Sequence, residues 1–201
     1  MLNLPHVLLI GAADRNVGKT TLAEQVIARL APQGRVQAAK ITTVREVGRC
    51  PRGGSGCGVC GSLTGPFRLD AEGCPGQGKD TQRLKAAGAD PVFWLRVRAE
   101  AMAEGLAALF AALPMGVPTL IESNSARSAI TPGVFVVLRR AGSDVVKPAC
   151  AAVIHHADAV WDFHGDRWDG DPADLRFVGG RFTLHHPRAT ALILAGGESR
   201  R

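Results

Sequence analysis

The chain has 201 residues, of which 46% are hydrophobic, and it carries a formal net charge of +6. This length suits one α/β domain with a single core and leaves little room for two full domains. The basic residues are scattered along the chain, which disfavours nucleic acid as a partner. The apolar stretches are interrupted well before the roughly 20 residues of a membrane helix, and the first four residues lack the charged start of a secretory signal. We therefore expect a soluble, cytoplasmic protein with no membrane partner.

Short apolar runs and helical periodicities alternate along the chain. Strands are predicted over 7–10, 36–41, 92–97, 119–121, 134–138, 176–178 and 181–184. Helices are predicted over 20–31, from Asp80 as N-cap to near Gly88, and around the apolar series Met102, Leu106, Leu109 and Leu113. The alternation predicts an α/β, doubly wound, mainly parallel sheet within one domain spanning 1–188. The Gly- and Cys-rich region of about 45–78 is expected to be an insertion outside the core, and 164–176 a surface loop.

A loop between the first predicted strand and the first predicted helix matches a phosphate-binding pattern. Residues 13–20 follow G-x-x-x-x-G-K-[ST], except that Ala13 stands at the position of the first glycine. In this pattern Gly18 lets backbone N–H groups approach a phosphate, Lys19 neutralises phosphate oxygens, and the Thr20 hydroxyl ligates Mg²⁺. The residues predicted to contact nucleotide are Asp14, Asn16, Val17, Gly18, Lys19, Thr20 and Thr21. The sequence therefore predicts a magnesium-dependent nucleoside triphosphatase.

Two charged residues stand at the ends of neighbouring predicted strands. Glu122 follows 119–121 directly and, with Thr20, is the candidate magnesium site. Lys40 ends the second strand and is expected at the carboxyl edge of the sheet, where ligands of doubly wound folds bind. Lys19, Lys40 and Glu122 are the candidate catalytic residues.

Five cysteines occur in the chain, and four of them fall close together. The clustered cysteines are Cys50, Cys57, Cys60 and Cys74. In a reducing compartment this cluster indicates a zinc site or an iron–sulfur cluster, and the spacing does not distinguish the two. Cys150 is expected to be a small buried apolar residue. His155 and His156 are adjacent on a predicted helix and should face different directions, so they are not expected to share a metal.

Taken together, these residues resemble the MobB family, the GTP-binding adapter of molybdopterin-guanine dinucleotide biosynthesis. The resemblance covers roughly residues 6–125. Its matching residues are Gly18-Lys19-Thr20-Thr21-Leu22, Lys40, Gly78-Lys79-Asp80-Thr81 with Arg83, Ala87-Gly88-Ala89, and Glu122. Membership would imply a P-loop GTPase of the signal-recognition, MinD and BioD class that forms a homodimer. It would also imply that Lys79 and Asp80 contribute to the nucleotide site, and that a MobA guanylyltransferase and a molybdenum-cofactor client are partners.

The sequence also departs from the family pattern. Ile41-Thr42-Thr43 replaces the histidines that often follow the second-strand lysine, and Ser123 replaces the usual glycine after Glu122. The cysteine-rich insertion is not a general family feature. Residues 189–201 look like the start of a MobA nucleotidyltransferase domain, so we expect the chain to be the front part of a longer fusion.

Two other functions fit parts of the sequence. One is an ATP-dependent ligase resembling dethiobiotin synthetase, whose loop pattern Asp14 and Val17 also fit, and in which the equivalent of Lys40 lies near a carboxyl phosphate. The other is a nucleotide-switched metal carrier or interaction module that works through the cysteine cluster. No Asn-Lys-x-Asp guanine motif occurs, so GTP is implied by the resemblance alone and ATP remains open.

Overall fold

The computed structural model describes residues 1–44, 63–73, 76 and 78–185, and a seven-stranded β-sheet forms the centre of this part of the chain. Its strands are β1 (Leu2–Ala12), β2 (Gln37–Val44), β3 (Phe67–Ala71), β4 (Val92–Arg98), β5 (Thr119–Glu122), β6 (Ile130–Arg140) and β7 (Ala159–Phe163). Their order is β3-β4-β2-β5-β1-β6-β7, and every neighbouring pair is parallel except β3 and β4. The predicted α/β fold with a mainly parallel sheet is confirmed.

Helices cover both faces of this sheet. They are α1 (Lys19–Leu30), α2 (Asp80–Ala86), α3 (Met102–Ala112) and α4 (Pro148–Ala151). Short 3₁₀ helices occupy Ala31–Gln33, Ala99–Ala101, Ser125–Ser128, Ile154–His156 and Pro172–Asp174. One core cluster joins α1 and α2 to one sheet face, and a second joins α3 and α4 to the other. None of the helices in the described ranges is long and apolar enough to cross a membrane.

The helix α1 forms as its sequence pattern predicts. Leu22, Val26 and Leu30 recur every four residues and are all buried against the sheet. Burial of each such side chain contributes about 1.5–3 kcal/mol. Its bounds differ from the predicted 20–31 by one residue at each end.

The sheet register places one row of side chains beneath α1 and past its start. Ala38 and Leu120 are in register on β2 and β5, and so are Lys40 and Glu122 two residues further along. Because side chains alternate between faces, all four lie on the α1 side of the sheet. The row is apolar beneath the helix and charged where the helix begins, which creates a polar edge.

The prediction that 45–78 lies outside the core is wrong in one part. Strand β3 pairs antiparallel with β4 at the edge of the sheet, and Leu63 is buried. Phe67 and Leu69 pack against the α3-side core. The alternation is short and follows a glycine-rich stretch, so periodicity alone did not reveal it.

The expectation of a surface loop over 164–176 is also wrong in part. Trp168 is only 9% exposed, and Leu175 is fully buried. Strand β7, which the sequence analysis did not predict, lies just before this segment and pairs with β6. After it, β8 (Leu175–Val178) and β9 (Arg181–Leu184) form a separate two-stranded sheet, which confirms the two short strands predicted there.

We expect Gly133→Ala to destabilise the protein by about 1–3 kcal/mol. Gly133 lies in β6, where the register with β1 shifts, and a Cβ there would come within 2.1 Å of the Pro5 carbonyl oxygen. The Pro5 backbone cannot move aside as easily as the end of a flexible side chain, so the clash would be costly. Urea denaturation monitored by circular dichroism measures the loss. Gly73→Ala is the control, because a Cβ at Gly73 meets nothing within 4 Å, and equal midpoints for the two variants would contradict this account.

Candidate functional site

The carboxyl ends of β1, β2 and β5 meet at the start of α1 and line a cavity of about 890 Å³. Parallel strands bring their carboxyl ends to one edge of the sheet, and helix N-termini lie at the same edge. The residues that line the cavity include Arg15, Asn16, Val17, Gly18, Lys19, Thr20, Thr21, Lys40, Asp80, Arg83, Glu122 and Lys147. Most of the residues predicted to form the site are therefore together in space.

Residues 13–18, here called the 13–18 loop, have an alternating backbone conformation. Asn16 has φ of 55° and Gly18 has φ of 83°, both in the left-handed region, which asparagine and glycine tolerate. A backbone that reverses handedness at alternate residues can aim successive N–H groups at one anion. Gly18 is the N-cap of α1, and no side chain in the described ranges caps that helix. The first N–H groups of α1 are thus available to a ligand in the cavity.

The start of the 13–18 loop is tied to β5 by Asn124. The side-chain oxygen of Asn124 accepts a hydrogen bond from Ala12 N at 2.7 Å, and its amide donates to Ala12 O at 2.9 Å. Gly11 is required beside this pair, since a Cβ there would lie 2.6 Å from the Asn124 oxygen. Asn124 thus fixes the direction in which the chain leaves β1.

A second tie comes from the segment before α4. The backbone N–H of Lys147 donates to Ala13 O at 2.9 Å, and Ala13 N donates to Leu138 O at 2.8 Å. The Lys147 ammonium group lies 3.9 Å from an Asp14 oxygen, and Arg140 lies equally far from the other. Asp14 therefore lies between these two cations.

Four charged groups converge at the polar edge of the sheet. Lys40 and Glu122 are neighbours because they are in register on adjacent strands. Lys40 also forms an ion pair with Asp80, the first residue of α2. Lys19 begins α1 on the other side of Glu122. The cluster therefore joins two strands and two helices at one point.

Burial and neighbouring charges shift the protonation of these groups. Burial raises the pKa of Glu122, although the charges of Lys40 and Lys19 draw it down. Burial lowers the pKa of Lys19, and the negative charge of Glu122 opposes this. For Asp80, burial acts upward, but the hydrogen bond and charge of Lys40 outweigh it, so its pKa lies below the ordinary value. Asp80 is therefore the ionised partner of Lys40, whereas burial disfavours the ionised form of Glu122.

The carboxylate of Glu122 has an oxygen that fits a cation. Its Oε1 atom is buried and makes no hydrogen bond within the described part of the chain. The hydroxyl of Thr20 is close enough to lower the pKa of both Glu122 and Asp80 by hydrogen bonding. Carboxylate and hydroxyl oxygens are the ligands that a hard cation such as Mg²⁺ prefers. Thr20 and Glu122 thus have the chemistry to hold the predicted ion.

The cavity as a whole favours an anion. Among the described residues that line it, five side chains are cationic and two are carboxylates. The cations are Arg15, Lys19, Lys40, Arg83 and Lys147. Arg83 is held in place by Glu24, at 2.5 and 2.8 Å, and contacts the Thr21 hydroxyl at 3.3 Å. Together with the positive end of α1, this charge suits a polyanionic ligand.

Two predicted contacts do not lie in the cavity lining. Lys79 is exposed and precedes α2, where its backbone N–H donates to the Gln82 side chain at 3.1 Å. Asp14 is the second such residue, and its carboxylate lies near Arg140 and Lys147. Asp80 lines the cavity, but the prediction that it caps α2 is wrong, because Lys79 is the N-cap. The Asp80 carboxylate instead forms an ion pair with Lys40.

The cysteines and histidines considered as metal ligands lie in different parts of the chain. Cys50, Cys57, Cys60 and Cys74 lie outside the described residues, and so do residues 189–201. Cys150 is fully buried, as predicted. The expectation that His155 and His156 diverge is wrong: they lie on a 3₁₀ turn with ring centroids 4.0 Å apart. Within the described ranges, no group of three or more His, Cys, Asp or Glu side chains could hold a metal.

The sequence analysis missed three residues that shape the site. Lys147 and Trp168 lie more than 120 positions after the loop they contact, and nothing near them in the sequence signals that contact. Asn124 could have been noticed, because it belongs to the polar run after a buried strand. Its bonds to Ala12 depend on a strand pairing that one sequence does not reveal.

Comparison with known proteins gives no relative for this chain. No protein-family model matches the sequence, and no curated protein or solved structure is significantly similar to it. The fold and the geometry of the cavity define the class: an α/β protein with a cationic cavity at the carboxyl edge of a mainly parallel sheet.

We expect Glu122→Gln to raise the melting temperature of the ligand-free protein at pH 7 by about 2–4 °C, equivalent to about 1 kcal/mol. Burial raises the pKa of Glu122 in the folded state. Above the ordinary pKa of 4.5, the unfolded chain has lost this proton while the folded protein still holds it. The stability of the wild type therefore falls as the pH rises from 4.5 to the raised pKa of the folded state. Glutamine does not titrate.

Differential scanning calorimetry from pH 4 to 8 measures this effect. The difference between variant and wild type should be near zero below pH 4.5 and should grow as pH rises. Glu104→Gln, on the exposed face of α3, is the control and should show no such growth. A difference that shrinks with rising pH would contradict the account.

Proposed function

We propose that the chain is a P-loop nucleoside triphosphatase of the MinD and BioD class that binds GTP with Mg²⁺. We further propose that it hydrolyses the nucleotide slowly and assists biosynthesis of the molybdenum cofactor, as its resemblance to the MobB family implies. The observation that carries the proposal is the position of Lys19 and the α1 N-terminus beside the buried Glu122, within a cavity of mainly cationic side chains.

In this proposal the triphosphate lies along the 13–18 loop. The loop and the first turn of α1 donate backbone N–H groups to phosphate oxygens, and the ammonium group of Lys19 neutralises them. Burial lowers the pKa of Lys19 and thus disfavours its charged form. The negative charge of a bound phosphate would favour the charged form again and would form a strong ion pair with it. Asn16, Val17 and Thr21 complete the lining of the phosphate position.

Magnesium would be held by Thr20 and Glu122. An ion held by these two side chains would supply positive charge to offset the negative charge of the triphosphate. Glu122 is ready for this role because its ionised form is poorly stabilised without a cation. Asp80 and Lys40 form an ion pair beside Glu122 and neutralise each other, so together they add no net charge to the site.

The wider assignment comes from the resemblance. A MobB-like adapter would act as a homodimer beside a MobA guanylyltransferase and would serve a molybdenum-cofactor client. The cysteine cluster would add a structural zinc ion or an iron–sulfur cluster. Metal analysis of the purified protein, with its visible absorbance, distinguishes the two: zinc is colourless, whereas an iron–sulfur cluster is coloured.

A second candidate is the ATP-dependent ligase. The observation that favours it is that Lys40 and the threonines Thr42 and Thr43 line the same cavity as Lys19. The cavity therefore extends from the phosphate position along β2, where a second substrate with a carboxylate could lie. In that case Lys40 would contact the carboxyl phosphate.

Lys19→Ala is expected to weaken triphosphate binding by about 10- to 100-fold, because charge-assisted hydrogen bonds to the phosphates are lost. Isothermal titration calorimetry with a non-hydrolysable triphosphate and Mg²⁺ measures the affinity. The control is Lys85→Ala, since Lys85 pairs with Asp90 and does not line the cavity. Unchanged affinity in Lys19→Ala would defeat the nucleotide assignment.

Competition between GTP and ATP tests the base. We expect GTP to bind at least about tenfold more tightly than ATP, because the resemblance to the MobB family implies guanine recognition, and a site that hydrogen-bonds one base leaves polar groups unpaired with another. Displacement of a fluorescent triphosphate by each nucleotide in turn gives the ratio. A preference for ATP would contradict the MobB-like adapter and favour the ligase.

A further inference from the structure

The buried indole of Trp168 contacts the 13–18 loop from the side of α1 and β7. Its Nε1 donates a hydrogen bond of 3.0 Å to the carbonyl oxygen of Val17, across 151 positions of sequence. The ring also covers Gly18, where a Cβ would lie only 2.6 Å from the Trp168 Cζ2 atom. The contact therefore falls on the peptide group between Val17 and Gly18, which leads into the N-cap of α1.

This hydrogen bond determines the direction of the Gly18 N–H. A trans peptide is planar, and its carbonyl and N–H point in opposite directions. While Trp168 holds the Val17 carbonyl, the Gly18 N–H points away from the indole. Gly18 has φ of 83° and no side chain, so this peptide would otherwise rotate more easily than its neighbours.

The turn that carries Trp168 is itself fixed to the sheet. Asp169 N donates to Asp162 O at 3.0 Å, and Asp162 N donates to the Asp169 side chain at 2.8 Å. Phe163, the last residue of β7, forms a β-bridge with Trp168 and packs on its ring at a centroid distance of 5.9 Å. Phe163 also lines the cavity. The indole is therefore a rigid support rather than a mobile cover.

We propose that Trp168 is a positioning residue for the nucleotide site. It holds the Val17–Gly18 peptide so that the Gly18 N–H stays directed at the phosphate, and it thereby couples the 164–170 turn to triphosphate binding. Its role is to pre-organise the loop, because a donor fixed before binding loses less conformational entropy when the ligand arrives. This inference rests on the proposed nucleotide binding.

Trp168→Phe tests the hydrogen bond, since phenylalanine keeps an aromatic ring but cannot donate. The matched control is Trp161→Phe: Trp161 is 5% exposed on β7 and packs against Gly170, away from the cavity lining. We expect Trp168→Phe to weaken binding of a non-hydrolysable triphosphate with Mg²⁺ by about tenfold, whereas Trp161→Phe leaves the affinity within about twofold. Both variants lose a buried indole, so their melting temperatures should fall together.

These affinities test triphosphate binding and the positioning role of Trp168 separately. If the wild type binds no triphosphate, the proposed function fails. If the wild type binds and Trp168→Phe binds just as tightly, the positioning role alone is overturned. An equal loss of affinity in both variants also overturns it, because it would reflect general destabilisation.

A measurement on the wild type keeps the inference testable if Trp168→Phe does not fold. The chain has three tryptophans, so its ¹⁵N–¹H spectrum contains three indole signals at most, and the spectra of Trp161→Phe and Trp94→Phe identify two of them and leave Trp168 as the third. Adding triphosphate and Mg²⁺ should shift the Trp168 indole signal more than the Trp161 signal. A Trp168 signal that stays unchanged at saturation would overturn the proposal.

Discussion

The site is organised around the burial of ionisable groups at one edge of the sheet. A charge removed from water is costly unless an opposite charge or a hydrogen bond compensates it. Lys40 and Asp80 compensate each other, but Glu122 carries a buried oxygen that accepts no hydrogen bond from any described residue. Burial therefore raises the pKa of Glu122 and lowers that of Lys19. In our proposal, a bound cation and polyphosphate relieve both, so the ligand-free protein gives up stability for binding.

The fold makes this arrangement possible by placing the ends of distant segments together. Parallel pairing puts Lys40 in register with Glu122, and both continue an apolar row that α1 covers. Where α1 begins, that cover ends and the row becomes charged. The helix start, with N–H groups free for a ligand, therefore lies against a part of the sheet that has buried charge.

The 13–18 loop is held by three other parts of the chain. Asn124 binds the backbone of Ala12, the N–H of Lys147 binds Ala13, and the indole of Trp168 binds Val17. These contacts support the loop at its beginning and end while the backbone between them faces the cavity. A loop held in this way is pre-organised, which is the condition for a phosphate site built from backbone donors.

The sequence by itself determined the elements and the chemical types of the site. The buried strands, the four-residue repeat of Leu22, Val26 and Leu30, and the placement of Lys19 and Glu122 after strands are local patterns. They follow from side-chain periodicity, and the structure confirms the strands and helices predicted from it but adds the strands β3 and β7. Only the tertiary structure decided the edge strand β3, the ion pair of Lys40 with Asp80, and the contact of Trp168 with Val17. These depend on which distant segments pack together, and a single sequence carries no record of that packing when the local patterns are short or absent.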